Sequence, residues 1–188
     1  MKDYQDIVLQ SEDKTKLTAY FIRKPKATST LLFFHANAGN MGHRLPMIAE
    51  LYKRLPCHFF ILSYRGYGKS QGSPSEKGLK MDADAAFKFI QNHAELKSTK
   101  IVVLGQSIGG AVAIHITQKY SNLIHGLILE NTFLSLVSFQ LSFIASLASL
   151  FKSMVQISFF SLERHLGFQK SFCEYYKSSY FVFDWNER

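Results

Sequence analysis

Cysteine is scarce in this 188-residue chain, with only Cys57 and Cys173 present. Neither stands in a C-x-x-C pair or beside a histidine at metal-ligand spacing, so no zinc site, no disulfide framework and no cofactor are expected. No Pro/Gly/Ser-rich tract divides the chain, which makes one domain with a real core the starting assumption. Acidic residues are in deficit, 14 against 22 Lys and Arg, for a net charge of +8. That balance could suit nucleic acid, but the cations are scattered. Their densest group, Lys14, Lys16, Arg23, Lys24 and Lys26, straddles a strand pattern and reads as a solvated face. No nucleic-acid partner is expected, whereas an anionic membrane surface would suit the charge. The basic-then-apolar order of a secretory leader is missing from Met1-Lys-Asp-Tyr-Gln-Asp6, which predicts a cytoplasmic or membrane-associated protein. Charged residues are only 19% against 47% hydrophobic, excluding disordered and collagen-like classes.

Two β-rich runs, Asp6 to Gln10 and Lys16 to Ile22, flank Ser11-Glu-Asp-Lys-Thr15 and read as an antiparallel hairpin. Ser29 to His35 follows, with the continuous apolar run Leu31-Leu-Phe-Phe34 that a strand covered on both faces shows. The pattern then alternates: helix from about Gly42 to Leu55, strand His58 to Tyr64, helix Ser75 to His93, strand Lys100 to Leu104, helix Ile108 to Tyr120, strand Leu123 to Glu130. Such alternation predicts a mostly parallel α/β sheet with a leading antiparallel hairpin. Ser75 offers an N-cap to its helix, and Leu79, Ala83, Ala86, Phe87 and Ile90 recur at helical spacing as core.

Gly105-Gln-Ser-Ile-Gly109 stands directly after the apolar run Ile101-Val-Val-Leu104 and directly before an alanine-rich helical stretch. A Gly-x-Ser-x-Gly in that strand-to-helix setting is the nucleophile elbow of α/β-hydrolases. The glycines clear space for a sharp turn, so Ser107 is the candidate nucleophile, and the Ile108 amide at the helix start is a candidate oxyanion donor. His35-Ala-Asn-Ala-Gly-Asn40 follows an apolar strand, where the second oxyanion donor would lie; it is assigned to Asn37, with Ala38 next in line. An ordinary glycine turn, with His35 a hydrogen-bonded loop residue, is the alternative. His35, Ala38, Tyr64 and Gln106 are expected to line the pocket.

The blocks Phe34-His-Ala-Asn-Ala-Gly-Asn-Met-Gly-His43, Ser63-Tyr-Arg-Gly-Tyr-Gly-Lys-Ser70, Gly72-Ser-Pro-Ser-Glu76, Gly105-Gln-Ser-Ile-Gly-Gly110 and Ile128-Leu-Glu-Asn-Thr-Phe133 closely resemble the fungal bud-emergence-type α/β-hydrolases and their animal relatives. The resemblance spans about residues 5–135. It implies the α/β-hydrolase fold, serine chemistry at Ser107 on an ester or thioester, and a Tyr64 to Gly68 loop beside the pocket. The expected substrate partner is a small-molecule or acylated-protein ester.

After Phe133 the family pattern stops, where further strands with an acid and then a histidine are expected. A serine needs a base, and the base an orienting acid, in the order Ser, Asp or Glu, His. His165 is the candidate base and Glu130 the candidate acid, although a structural role for Glu130 is preferred. His115 is read as a helix-face histidine and His125 as a loop histidine. Asp184 follows the strand-like Tyr180-Phe-Val-Phe, as the family acid should, yet no histidine comes after it. Residues 131–151 carry no charge and are long enough to span a bilayer as a helix. Serines at intervals of three or four would give that helix a small-residue face, but a buried or ill-fitting amphipathic helix in an altered tail is the preferred alternative. The organisation expected is thus a partial hydrolase core over 1–135 and a divergent, largely helical tail over 136–188, its terminal strands truncated or replaced, with 131–151 a candidate membrane-associated segment. Both termini are expected to be incomplete. The leading functional expectation is a serine hydrolase; the alternative is an inactive, truncated relative that acts by binding or at a membrane.

Overall fold

Every residue of Ser29–Phe34 is buried, so this strand needs cover on both faces, and the fold is built around it. In the computed structural model the described residues are 3–132 and, as backbone, 180–184. They form a seven-stranded sheet: β1 (Tyr4–Gln10), β2 (Lys16–Ile22), β3 (Ser29–Phe34), β4 (Cys57–Ser63), β5 (Lys100–Gln106), β6 (Ile124–Glu130) and β7 (Tyr180–Asp184). The spatial order is β1-β2-β4-β3-β5-β6-β7. β1, β2 and β4 are antiparallel neighbours, and β4, β3, β5 and β6 run parallel. The expected hairpin and parallel core are therefore both present.

Successive side chains of a strand face opposite ways, which sorts the apolar runs into two cores. Leu32, Phe34 and Phe60 pack with Leu79, Phe87, Val112 and Ile116 of α2 (Glu76–Asn92) and α3 (Ile108–Lys119). Leu31, Phe33, Phe59 and Ile61 pack with Ile48 and Leu51 of α1 (Leu45–Arg54) on the other face. Each such side chain contributes roughly 1.5–3 kcal/mol on burial. In register, Phe34 pairs with Gly105 and Gly105 with Leu129, so the carboxyl ends of β3, β5 and β6 lie side by side.

The structure differs from the sequence reading at three points. The helix expected from Gly42 is a 3-10 turn, Met41–Arg44, followed by α1. Pro46 has no N–H to give the carbonyl four residues back, so the regular helix begins only at its own first turn. His125 lies within β6 and not in a loop. Asp184 ends β7, which runs antiparallel to β6 with Asp184 opposite Gly126 and Tyr180 opposite Glu130. Asp184 thus stands at the amino end of β6, the far end of the sheet from Ser107. Most of the 131–151 segment and all of His165 lie outside the described residues. Among those residues no helix is long and apolar enough to cross a membrane.

Candidate active site

The sharp turn demanded by the elbow motif is visible in the backbone. Ser107 has φ 53° and ψ −119°, between the end of β5 and the start of α3. A non-glycine residue in such a conformation costs of order 1–3 kcal/mol, and the surroundings must hold it. Here the Ser107 amide donates to the Glu130 carbonyl at 2.9 Å, while its own carbonyl accepts from the Gly110 amide at 2.9 Å and from Thr132 Oγ1 at 2.7 Å. Glu130 therefore serves the elbow through its backbone. Gly105 lies against the first turn of α3, where a Cβ would meet the Gly109 carbonyl oxygen at 2.6 Å. A Cβ on Gly109 would run into the Phe34 carbonyl. This close approach sets the start of α3 against the end of β3, beside the loop of residues 35–40. Gln106 and Ile108 flank the serine and are, like it, half-buried.

His35 is wholly buried at the foot of that loop, while Asn37 and Ala38 are exposed at its tip. The His35 Nδ1 lies 2.8 Å from the Ala36 carbonyl oxygen; a carbonyl only accepts, so Nδ1 carries the proton. Burial lowers the imidazole pKa to about 4, with the positive charge of Arg44 contributing, so the ring is neutral at physiological pH. Tyr64, also wholly buried, packs against His35 with ring centroids 4.6 Å apart and planes tilted by 42°, and donates its hydroxyl to the His35 carbonyl at 3.1 Å. Tyr67 packs edge-on to His35 and donates its hydroxyl to Asn37 Oδ1. Arg44 Nη2 donates to the Ala38 carbonyl at 2.6 Å. Gly39 takes φ +84° with the His43 ring beneath it, a position that suits only glycine.

Behind Tyr64 and Tyr67 lies a buried ionic network absent from the sequence reading. Arg65 donates Nε at 2.9 Å and Nη2 at 2.8 Å to Asp82 Oδ1, and its amide donates to Asp82 Oδ2 at 2.8 Å. Its outer nitrogens reach Asp13, with Nη1 at 2.7 Å from Oδ2, and Ser11 Oγ at 3.2 Å. The hydrogen bond from Arg65 holds the Asp13 carboxyl well below the usual carboxylate range. The signal was in hand in the Ser63 to Ser70 block, but nothing local tells which carboxylates Arg65 meets.

Of the candidate residues, the fold brings Ser107, Ile108, Gln106, His35, Asn37, Ala38 and Tyr64 to the same carboxyl edge of the sheet. His115 faces Asp84 across the α2–α3 contact, at 4.0 Å from its Oδ1, on the helix face expected of it. Among the described residues no group of three or more His, Cys, Asp or Glu side chains is placed to hold a metal.

The profile of the family described as alpha/beta hydrolase fold matches residues 29–181. Protein bem46 of Schizosaccharomyces pombe is 53% identical over 137 residues, covering 71% of this chain and 46% of that protein. The uncharacterized membrane protein YNL320W of Saccharomyces cerevisiae is 44% identical over 133 residues, covering 71% and 47%. The chain thus spans about half the length of the curated relatives it matches, and its resemblance to the bud-emergence type holds. Among solved structures, the Pyrococcus furiosus esterase Pf2001 superposes with a TM-score of 0.65 at 24% identity, covering 79% of this chain and 56% of that one. A seven-stranded sheet with its serine turn at the carboxyl edge, and a family profile covering most of the sequence, place this chain in the α/β hydrolase fold family.

Proposed function

We propose that this chain is a serine hydrolase acting on a carboxylic ester or thioester. The observation that carries the reading is the strained Ser107 between β5 and α3, a conformation kept at a cost and held by three hydrogen bonds. In this reading Ser107 Oγ bonds to the acyl carbon as its proton passes to His165, oriented by Glu130. The carbonyl electron pair moves to oxygen, where the amides of Ile108 and Asn37 receive it. Collapse of the tetrahedral intermediate expels the alcohol or thiol, which takes the proton, and water then hydrolyses the acyl-enzyme. His35, Ala38, Tyr64 and Gln106 shape or back the pocket. The esterase named among the structural neighbours supports the reaction class, and the yeast relative named as a membrane protein supports a membrane-associated setting, with a small-molecule or acylated-protein ester as substrate.

A second reading is favoured by one specific observation. The antiparallel β7 carries Asp184, which follows a strand-like run as the family acid should, to the end of β6 away from Ser107. In that reading the chain keeps the elbow without a working base and acts by binding. Fluorophosphonate labelling of the wild-type chain beside Ser107→Ala and His165→Ala separates the two. The hydrolase reading expects labelling that is lost in both variants. Labelling that persists in Ser107→Ala would sink it, and a folded wild-type chain that takes no label would establish the second reading.

A further inference from the structure

In the loop of residues 35–40 several acceptors are tied up, while the amides at its tip are not. The His35 carbonyl is held by the Tyr64 hydroxyl, the Ala36 carbonyl by His35 Nδ1, and the Ala38 carbonyl by Arg44 Nη2. The one side-chain acceptor at the tip, Asn37 Oδ1, is held by the Tyr67 hydroxyl. The amides of Asn37, Ala38 and Gly39, by contrast, donate to nothing among the described residues. In a trans peptide the carbonyl and the N–H point opposite ways, and no cis peptide occurs among the described residues. Tying the Ala36 carbonyl to His35 Nδ1 and the Ala38 carbonyl to Arg44 Nη2 therefore turns the Asn37 and Gly39 amides away from those side chains. Arg44 adds charge to this geometry: its Nε is buried without a hydrogen-bond partner, and no carboxylate pairs with it among the described residues. A run of unpaired amides beside an unneutralised guanidinium favours an anion.

We propose that Tyr67 and Arg44 are positioning residues of this loop, holding the Asn37 side chain and the Ala38 carbonyl so that the Asn37 and Gly39 amides present their protons to an anion. The inference deepens the serine-hydrolase reading and rests on it for the identity of that anion, the oxyanion formed on Ser107. Neither side chain touches the substrate; each acts through the backbone it holds.

The test compares wild type with Tyr67→Phe, Arg44→Met and Arg44→Lys. The readouts are kcat and KM on p-nitrophenyl butyrate, inhibition by butylboronic acid, and the backbone amide resonances of residues 36–39. Butylboronic acid is informative because its tetrahedral adduct on Ser107 carries the negative charge. Tyr67→Phe is expected to lower kcat about tenfold at unchanged KM, less than the loss of an oxyanion donor itself, and to weaken the boronic acid by a similar factor. Arg44→Met is expected to do the same, and Arg44→Lys, which can still donate to Ala38, to restore part of the loss. The Asn37 and Gly39 resonances are expected to move in Tyr67→Phe and Arg44→Met. Unchanged kcat and inhibition, or a rise in KM alone, would overturn the proposal. If the wild-type chain shows no Ser107-dependent turnover, the hydrolase reading fails and the amide resonances decide alone: displaced, they uphold the positioning role, and unmoved, they overturn it.

Discussion

Two neighbouring loops at the carboxyl edge of the sheet are built in opposite ways. The loop after β3, residues 35–40, leaves amides free and is backed by Arg44, a guanidinium with no carboxylate partner among the described residues. The loop after β4, residues 64–75, is the more saturated of the two: Arg65 binds two carboxylates, Gly66 and Tyr67 close backbone turns onto Gln71 and Tyr64, and Ser75 caps α2. A loop tied down at several points has few low-energy arrangements and makes a good strut. A loop with spare donors is where an anion gains most. The second loop supports the first through two tyrosine hydroxyls, which links scaffold to chemistry.

The largest expected effect comes from breaking the saturated side. Asp82 is wholly buried, and Asp82→Ala would leave the buried Arg65 charge with only Asp13 and Ser11 as partners. Removing one partner of a buried pair costs about 3–5 kcal/mol, so urea denaturation of Asp82→Ala is expected to show a loss in that range. A loss under about 1 kcal/mol would mean that the network contributes little to the strut.

Next in size is a pH effect on the site side. His35 has its pKa lowered to about 4 from an ordinary 6.5, so between those values the unfolded chain binds a proton that the folded chain refuses. Stability is then fully present above about pH 6.5 and is lost as the pH falls toward 4, by at most about 3 kcal/mol. Denaturation midpoints measured from pH 7 to 4 should fall more steeply in wild type than in His35→Asn. Parallel curves would place the acid sensitivity elsewhere.

How much of this contrast was legible in the sequence follows from how local each feature is. The strand-to-helix setting of Ser107 and the small residues of 35–40 are contiguous, so the elbow and the loop could be read directly. The Arg65 network could not, because Asp13 and Asp82 stand 52 and 17 residues away and only the fold brings them together. The direction of β7 was equally hidden. An apolar run such as Tyr180-Phe-Val-Phe has the same period of two in parallel and antiparallel pairing, so its sequence says nothing about which end Asp184 occupies. His125 sits near the start of β6, where a single half-buried polar residue is as compatible with a loop as with a strand.

A smaller effect is expected at the exit of the saturated loop. Ser75 accepts from the Gly78 amide at 3.1 Å, and α2 carries Asp82 to Arg65. Ser75→Ala should cost about 1 kcal/mol of stability. A loss matching that of Asp82→Ala would show that capping and the ion network act as one unit.

The smallest effect tests the outer arm of Arg65. Asp13 and Asp82 both bind this guanidinium, but the Asp13 side chain is 37% exposed and the Asp82 side chain is fully buried. The hydrogen bond from Arg65 lowers the Asp13 pKa from its ordinary 3.8, so its contribution is present above that value and is lost only as the pH falls below it. At neutral pH the pair is open to water and to screening by salt, and an exposed partner contributes little. Asp13→Asn should therefore lower the melting temperature far less than Asp82→Ala does, and the small difference should shrink as salt is raised. An Asp13→Asn loss that rivals Asp82→Ala and persists in high salt would mean that the hairpin turn is as integral to the strut as α2, and that the saturated loop depends on both ends of Arg65 equally.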